Sequence, residues 1–409
     1  MRKACWATCL AIPFILAGSP GGGPAAAEPI YSLLTTIPVP PDSANPNPGG
    51  AFNSFDISFF DPATQLDYVA DRSNAAVDYF SAQNNSFVGR VPGFVGQQAT
   101  ASISGPDGVL VVNQPGQHQL WAGDGNSTLK GFNISAGYAT LPGTPISTGG
   151  TKRVDEMAYD PTHNRLLVAN NADTPAFGTI IDASTNAIIA RVVVPGGEAG
   201  LEQPAWNPST GHFYISVPQF NGTGPGGLAE IDSNGNVIRT FDFGAAPFNI
   251  ASCSPAGLAV GASGNLMVGC SNASQSILFN PSGNGSIVAT FPQISGSDEL
   301  WYDPTTRNYF VTGPNNPGGP VFGVISDATD TWLENTPTVP GNAHSIAVDP
   351  ISGEVFVPFP GVAANTVCPL GCVGVYAAQG ASVPEPAALA IFAAGLLGLG
   401  VVRGARNRT

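Results

Sequence analysis

Residues 153–170 read RVDEMAYDPTHNRLLVAN: a short apolar segment, a turn that begins at Asp160-Pro161, and a second apolar segment. Short apolar runs separated by turn-forming residues are typical of β-strands joined by tight turns. A single hairpin of this kind has two apolar faces and cannot bury both alone, so it requires neighbouring copies. The sequence should therefore contain the same unit several times.

The unit recurs along the chain at intervals of 42 to 55 residues. Seven copies are recognised by their turn residues, which are Asp61, Gly105, Asp160, Asn207, Gly261, Asp303 and Asp349. A second pair of apolar segments lies between successive turns, as in residues 179–182 and 188–194. Four short strands in ~48 residues describe one propeller blade. The repeat therefore predicts an all-β, seven-bladed β-propeller.

The composition agrees with this fold class. Gly and Pro number 51 and 38 of 409 residues, which excludes a coiled coil or a helical bundle. Charged residues make up only 10% of the chain and apolar residues 43%, a balance that excludes an intrinsically disordered protein. The chain is long enough and apolar enough to build a continuous core between blades.

The ring also needs a closing strand. The last repeat reaches its third strand at residues 373–376 and then runs out. Residues 31–38 (YSLLTTIP) look like the fourth strands at 190–195 and 288–292. An N-terminal strand is therefore expected to complete blade seven, which removes two unpaired sheet edges at once.

Two phrases of the repeat carry a resemblance. LVANN at 167–171 and SIAVDP at 345–350 resemble the YVTN/NHL class of β-propellers, over about residues 50–380. The resemblance implies the propeller architecture. It implies no single function, because propellers of this class serve as lactonases, scaffolds and binding modules.

Both ends of the chain look like targeting segments. Arg2 and Lys3 precede an apolar run, and the alanines at 25–27 offer a cleavage site before Glu28, so residues 1–27 are predicted to be a secretory signal peptide. At the other end, residues 383–386 (VPEP) are followed by an apolar stretch at 387–402 and three arginines. Sixteen apolar residues are fewer than the ~20 that span a bilayer comfortably.

This C-terminal arrangement resembles the PEP-CTERM sorting tail of Gram-negative bacteria, with a short transmembrane helix. The resemblance implies recognition and processing by exosortase, after signal peptidase has removed the N-terminus. The predicted domains are thus a signal peptide (1–27), a propeller (28–382) and a sorting signal (383–409). The protein is expected to be exported, held transiently in the membrane by its tail, and located in the cell envelope or outside the cell.

Four cysteines remain in the body of the chain, and an exported protein is expected to form disulfides. The favoured pairing joins Cys253 to Cys270 and Cys368 to Cys372, because each pair brackets a short hairpin or loop. A redox centre at Cys368 and Cys372 is the alternative, but no thioredoxin-like strand and helix surround them.

The body is strongly acidic. Five of the 14 basic residues lie in the two terminal segments, so nine basic residues face 27 acidic ones between them, a net charge of −18. A charge of this sign excludes nucleic acid as a partner. Cations and positively charged partners remain possible.

Several acids fall at one position of the repeat. The residue five before each turn residue is expected at the opposite mouth of the central channel. These positions hold Asp56, Thr100, Asp155, Glu202, Ala256, Asp298 and His344, with Glu156 and Glu299 one step further on. Like charges brought together need a cation, protons or water between them. Asp56, Asp155, Glu156, Glu202, Asp298, Glu299 and His344 are therefore the predicted ligand-binding residues.

A divalent cation is one possible occupant of this mouth. Asp155, Glu202 and Asp298 are the candidate metal ligands, and oxygen ligands favour calcium over zinc. The alternative is that the acids form salt bridges across blades to Arg153, Arg72 or Arg307, or face water. The sequence leaves both open.

Residues 202–206 (EQPAW) resemble the phrase that opens the metal-dependent gluconolactonase family, in which the Glu is a metal ligand. The later ligand phrases of that family are not found here, and EQPAW lies in the fourth repeat instead of the first. The leading interpretation is a monomeric binding or structural module of the cell envelope or extracellular matrix, or an exopolysaccharide component, with no catalytic residue assigned. A metal-dependent lactonase-type hydrolase is the alternative.

Overall fold

The computed structural model describes residues 30–362 and 364–379. It contains seven antiparallel sheets, of which six are built from consecutive strands and the seventh combines the N-terminal strand with the last three strands. The innermost strands of successive sheets contact each other in a closed cycle, with the seventh sheet against the first. The chain is therefore a seven-bladed β-propeller, as the repeat predicts.

The strand bounds, from the innermost to the outermost strand of each blade, are as follows. Blade 1 consists of Ser58–Asp61, Leu66–Asp71, Ala76–Ser81 and Ser86–Pro92, and blade 2 of Val109–Gln114, Gln117–Asp124, Thr128–Asn133 and the short pieces Ala139–Thr140 and Ile146–Ser147. Blade 3 consists of Met157–Asp160, Arg165–Asn170, Phe177–Asp182 and Ile188–Val192, and blade 4 of Pro204–Asn207, His212–Val217, Gly227–Ile231 and Val237–Asp242. Blade 5 consists of Pro255–Val260, Leu266–Cys270, Ser276–Asn280 and Ser286–Phe291, and blade 6 of Leu300–Asp303, Asn308–Gly313, Val321–Ser326 and Thr331–Pro337. Blade 7 consists of Ala347–Val348, Val355–Pro360, Gly371–Ala378 and Tyr31–Pro38. Four short 3₁₀ turns are Pro48–Gly50, Ala101–Ile103, Ile134–Ala136 and Phe220–Gly222.

The Asp-Pro turns explain why the innermost strands end where they do. The carboxylate of Asp160 accepts a hydrogen bond from the backbone N–H of Thr162 at 2.7 Å, and Asp303 does the same with Thr305 at 2.9 Å. An Asp side chain that bonds to the backbone two residues on closes a turn by itself. The turn then needs one residue at positive φ, such as Asn164 at 55°.

The core lies between the blades. Leu167 of blade 3 and Phe213 of blade 4 belong to one buried cluster, and Leu266 of blade 5 lies in another with Tyr214 of blade 4. Seven such clusters follow one another around the ring. Each blade is therefore stabilised by burying apolar surface against its two neighbours.

The predicted closing strand is confirmed. Tyr31–Pro38 pairs antiparallel with Gly371–Ala378, with Tyr31 opposite Ala378 and Pro38 opposite Cys372. Its first residues are also fixed to blade 6, because the backbone N–H groups of Ile30 and Tyr31 each donate to the Glu334 carboxylate at 2.8 Å.

Both predicted cysteine pairs lie at disulfide distance. The Cys253–Cys270 pair has an S–S distance of 2.06 Å and joins the start of blade 5 to the end of its second strand. The Cys368–Cys372 pair, at 2.01 Å, closes the loop before the third strand of blade 7.

The predicted start of blade 2 is wrong. Gly105 was expected to be its first turn residue, but the innermost strand is Val109–Gln114, and it pairs with Gln117–Asp124. Residues 101–108 contain a 3₁₀ turn and a bridge between Gly96 and Gly105 instead. The error arises because apolar residues flank Gly105 on both sides, as in a true hairpin. Thr100 is therefore not a member of the ring.

The predicted signal peptide (1–27) and sorting tail (383–409) lie outside the described residues. Within residues 30–362 and 364–379, no helix has the length and apolar character needed to cross a membrane.

Candidate functional site

Equivalent backbone hydrogen bonds define one level at the mouth of the channel, just before the innermost strands begin. The N–H of Asp56 donates to Ala70, and the N–H of Asp155 donates to Ala169, at 2.9 and 2.8 Å. Glu202 makes the same bond within blade 4. These three predicted residues therefore occupy matching positions on blades 1, 3 and 4.

The member from blade 2 is Asp107, which the sequence analysis missed. Its N–H donates to Gly123 at 3.1 Å, the bond that marks this level in the other blades. The signal was present in the spacing. Counting from Asp56 to Asp107 to Asp155 gives intervals of 51 and 48 residues, whereas the mistaken turn residue gives 44 and 55.

Two arginines neutralise the acids of blades 1 to 3. The Nε of Arg72 donates to Asp107 Oδ1 at 2.6 Å, and its Nη2 pairs with Asp56. Arg153 Nη2 lies 2.7 Å from Asp155 Oδ2, and its Nη1 lies 3.6 Å from Asp107. Arg72 is buried and Arg153 is half-buried, so salt bridges between blades join the acids in this half of the mouth. Arg307, the third arginine considered, pairs instead with Asp327.

The arginines change how the neighbouring acids titrate. Burial would raise the pKa of Asp56, but the positive charge of Arg72, the contact with His344 and the charge of Arg153 together lower it. Burial raises the pKa of Asp155 to about 6, although Arg153 opposes the increase. Asp56 is thus the carboxylate most firmly held in its ionised form at this mouth.

His344 approaches the same group from blade 7. Its ring stacks on Phe55 with centroids 4.8 Å apart, and its Nε2 lies 3.5 Å from Asp56 Oδ1. Burial lowers the pKa of His344, but Asp56 and Asp298 outweigh burial, so the pKa is raised overall. The arrangement favours an imidazolium beside two carboxylates.

The other half of the mouth forms no salt bridge among the described residues, although the charge of His344 acts on Asp298. Glu156, Glu202, Asp298 and Glu299 form no salt bridge with any Lys, Arg or His in the part of the chain that the structure describes. Burial raises the pKa of all four, and repulsion from neighbouring carboxylates adds to it. The Oε2 of Glu156 has no hydrogen-bond partner although the residue is only 7% exposed. We call these four residues the acidic half-ring.

A cavity of about 500 Å³ begins at the acidic half-ring and follows the innermost strands. Glu156 and Gln203 line one end, and Pro161 lies at the turn end. Gln203 is fixed across the channel, because its Oε1 accepts from the N–H groups of Leu258 and Leu300 at 2.7 and 3.2 Å. This side chain narrows the channel on the side of blades 5 and 6.

Aromatic side chains form much of the cavity wall. Phe59, Tyr159, Trp206 and Trp301 all line it, from blades 1, 3, 4 and 6. Phe59 and Trp301 meet edge to face with centroids 5.3 Å apart. The Nε1 of Trp206 is buried without a hydrogen-bond partner. We call these four residues the aromatic wall.

The aromatic wall was not anticipated from the sequence, although it leaves a trace there. Each of its members lies one or two residues before a turn residue, Asp61, Asp160, Asn207 or Asp303. Trp206 was noticed only as part of the EQPAW phrase. Because these residues occupy two different repeat positions, a comparison of equivalent positions would not have found the wall as a single pattern.

The predicted site residues are thus brought to one mouth but in two environments. Asp56, Asp155 and His344 lie with the arginines or in contact with their partners, while the four residues of the acidic half-ring form no salt bridge, although Glu299 comes close to Asp56 and His344. Among the described residues, potential metal ligands come within 4.8 Å of one another in two groups, Asp56 with Asp107 and Asp155, and Asp56 with Glu299 and His344. Asp155, Glu202 and Asp298 as joint metal ligands stay a prediction.

Comparisons with known proteins address the fold and the tail. The family model of the PEP-CTERM protein-sorting motif matches residues 382–406. No curated protein matches the chain significantly. Among solved structures, Kuenenia stuttgartiensis hydrazine synthase is similar at 12% identity and a TM-score of 0.61, covering 84% of this chain and 98% of that one. The crystal structure of a mitotic checkpoint complex is similar at 13% identity and a TM-score of 0.59, covering 90% and 98%.

At such identities the structural matches speak for the fold alone. The sorting motif indicates where the protein is located, since it implies an exported, surface-sorted protein that is processed by exosortase and held transiently at the membrane. The chain is a seven-bladed β-propeller that carries a C-terminal PEP-CTERM sorting motif.

Proposed function

We propose that this exported propeller is a binding module whose central channel takes a positively charged ligand. The observation that carries the proposal is the acidic half-ring. Four carboxyl groups from blades 3, 4 and 6, two of them buried and two half-buried, form no salt bridge among the described residues, and Glu156 of this set lines a cavity large enough for a small ligand. A bound cation would supply the charge that Arg72 and Arg153 supply on the other side.

The charge of the whole body supports the same conclusion. Between the two terminal segments the chain carries a net charge of −18, which raises the local concentration of cations around it. No Lys or Arg lines the described part of the cavity, so nothing there would favour a phosphate or a carboxylate. The ligand is expected to be attracted first by the body and then held at the mouth.

Calorimetry on the purified full-length chain tests the proposal. We expect binding by one or more cations from a panel of calcium, magnesium, manganese, zinc and choline, and no binding of citrate. The variant Glu156→Gln/Glu202→Gln should lose that binding. Glu198→Gln, an exposed acid away from the channel, is the matched control and should bind as the parent does. Equal binding by all three proteins, or no binding by any cation, would contradict the proposal.

A metal-dependent lactonase-type hydrolase is the second candidate. Its support is the group Asp56, Glu299 and His344, whose potential ligand atoms lie within 4.8 Å of one another. Two features weigh against a metal there, since Arg72 already pairs with Asp56 and the pKa of His344 is raised. Hydrolysis of a lactone panel that depends on added divalent ion, and that Glu299→Gln abolishes, would favour this candidate over a pure binding module.

A further inference from the structure

The aromatic wall and the acidic half-ring belong to one continuous space. Glu156 lines the same cavity as Phe59, Tyr159, Trp206 and Trp301. Glu156 is also the acid whose Oε2 lacks a partner while being more than nine-tenths buried. A ligand in the cavity would therefore lie beside a carboxyl group with an unpaired oxygen at one end and beside aromatic side chains along its length.

This combination argues against a metal ion as the occupant of the cavity. Calcium requires six to eight oxygen ligands, and magnesium keeps its remaining positions filled with water. The wall offers mostly carbon, from the aromatic rings and from Ile57, Val109 and Leu110. A strongly hydrated ion gains little from such a surface, whereas a cation with a carbon shell gains from both the wall and the carboxyl end.

We propose that the channel binds an organic ammonium compound, with its charged nitrogen toward Glu156 and its carbon shell against the aromatic wall. The inference rests on the function proposed above and names its ligand class. Cations placed over Trp, Tyr or Phe faces are attracted by the negative face of the ring, and Trp is the best of the three. A neutral saccharide could stack on the same rings, but it would leave the carboxyl groups of the acidic half-ring without a cationic partner.

Few other polar groups of the cavity are free to bind the ligand. The Nε1 of Trp206 is a buried donor without a partner, and it is not accessible from the cavity. Ser58, which also lines the cavity, is engaged with Ser345 of blade 7, whose Oγ donates to the Ser58 oxygen at 3.0 Å. The ligand is thus defined by its charge and its carbon shell, and by the size that a cavity of about 500 Å³ admits.

Choline and its uncharged carbon analogue 3,3-dimethyl-1-butanol separate charge from shape. Titrated into the full-length chain at constant ionic strength, choline is expected to bind, and the alcohol at least about tenfold more weakly. The two molecules differ in a single atom, nitrogen against carbon, so the difference in affinity reports the charge. Equal binding of both would overturn the inference, because it would show an apolar site.

Trp206→Leu and Trp301→Leu test the wall. Each should weaken choline binding roughly 5- to 30-fold, the range of a partly to fully desolvated cation–π contact. Trp332→Leu is the matched control, because Trp332 lies exposed on the outermost strand of blade 6, and it should leave the affinity unchanged. Circular dichroism and thermal unfolding of each variant establish that the propeller is intact.

Calcium and a neutral disaccharide complete the experiment. Calcium bound without choline would overturn the ammonium inference and leave the proposed cation-binding function standing. The disaccharide bound in preference to choline would overturn both. Absence of binding by any of the cations would also overturn both.

Discussion

Asp67 is a carboxyl group inside an aromatic interface. It lies opposite Phe60 and Phe80 on the two neighbouring strands of blade 1, on the face that packs against blade 7. The residue is fully buried and neither carboxyl oxygen has a hydrogen-bond partner. Burial raises the pKa of Asp67 well above its ordinary value, so the folded protein holds it in the neutral form.

Replacing Asp67 by Asn should therefore remove a pH-dependent loss in the free energy of unfolding. In the unfolded chain Asp67 ionises near its ordinary pKa of about 3.9, while in the folded chain it does not, so the parent loses stability as the pH rises above that value. The gap in free energy of unfolding between Asp67→Asn and the parent should grow in the variant's favour from pH 4 to pH 7, by up to about 1.4 kcal/mol for each pH unit. Urea unfolding at several pH values measures the gap, and a gap independent of pH would contradict the assignment.

Arg72 holds two buried acids on different blades. Its replacement by Met leaves Asp56 and Asp107 without their nearest positive charge. Removing one partner of a buried ion pair costs about 3 to 5 kcal/mol, and we expect Arg72→Met to lower the free energy of unfolding at pH 7 by that amount. Adding Asp56→Asn and Asp107→Asn should restore part of it.

Arg307→Met provides the comparison for Arg72. Arg307 also pairs with an Asp, but its side chain is 48% exposed. Solvent screens such a pair, so its loss should change stability far less. Similar losses for the two variants would show that the Arg72 cluster is no more important than a surface salt bridge.

At the scale of elements, the closing strand Tyr31–Pro38 offers a sharp test. Tyr31 is 3% exposed and meets Phe310 and Phe322 of blade 6 with centroids 5.5 and 6.0 Å apart. Tyr31→Ala should lower the free energy of unfolding by about 3 to 5 kcal/mol, as expected for a large aromatic truncated in a core. Leu34→Ala, in the same strand but 41% exposed, should change it by about 0.5 kcal/mol or less. Urea unfolding at pH 7 measures both.

The elements also show what sequence reasoning can reach. The hairpins and their order were predictable because the Asp-Pro turn carries its own hydrogen bonds, which the residue types at 160–162 and 303–305 reveal directly. Blade 2 was misplaced because its first hairpin turns at Pro115-Gly116 without an Asp, while the preceding loop imitates the pattern. A hairpin can therefore be predicted where its turn residues make the hydrogen bonds of the turn themselves. The prediction fails where a loop has the same composition as a turn.

The site likewise has a part that the sequence predicts and a part that it does not. The ring of acids can be predicted by counting residues along the repeat, because equivalent repeat positions lie at the same level of each blade. The division of the ring into two halves cannot be predicted in this way, because it depends on Arg72 and Arg153. Arg72 follows the second strand of blade 1, and Arg153 precedes the innermost strand of blade 3. Such contacts between blades are fixed only when the ring has closed. The aromatic wall is likewise a product of the closed ring.

At the scale of the whole molecule, the negative charge of the body should govern cation binding. Attraction between a ligand and many distant carboxylates is screened by salt, with a Debye length of about 30 Å at 0.01 M and about 8 Å at 0.15 M. The affinity of choline should therefore fall several-fold between these ionic strengths, while the effect of Trp301→Leu stays nearly constant. Titrations at both salt concentrations check this, and an affinity insensitive to salt would limit the attraction to the channel alone.

The pairing of Tyr31–Pro38 with Gly371–Ala378 has a consequence for secretion. A chain exported from its N-terminus delivers the first of these strands to the far side of the membrane at the start of translocation and the second only at the end. The early strand must wait, with its edge unpaired, until more than 330 residues have followed it. The propeller can therefore be completed only shortly before the sorting motif at residues 382–406 arrives.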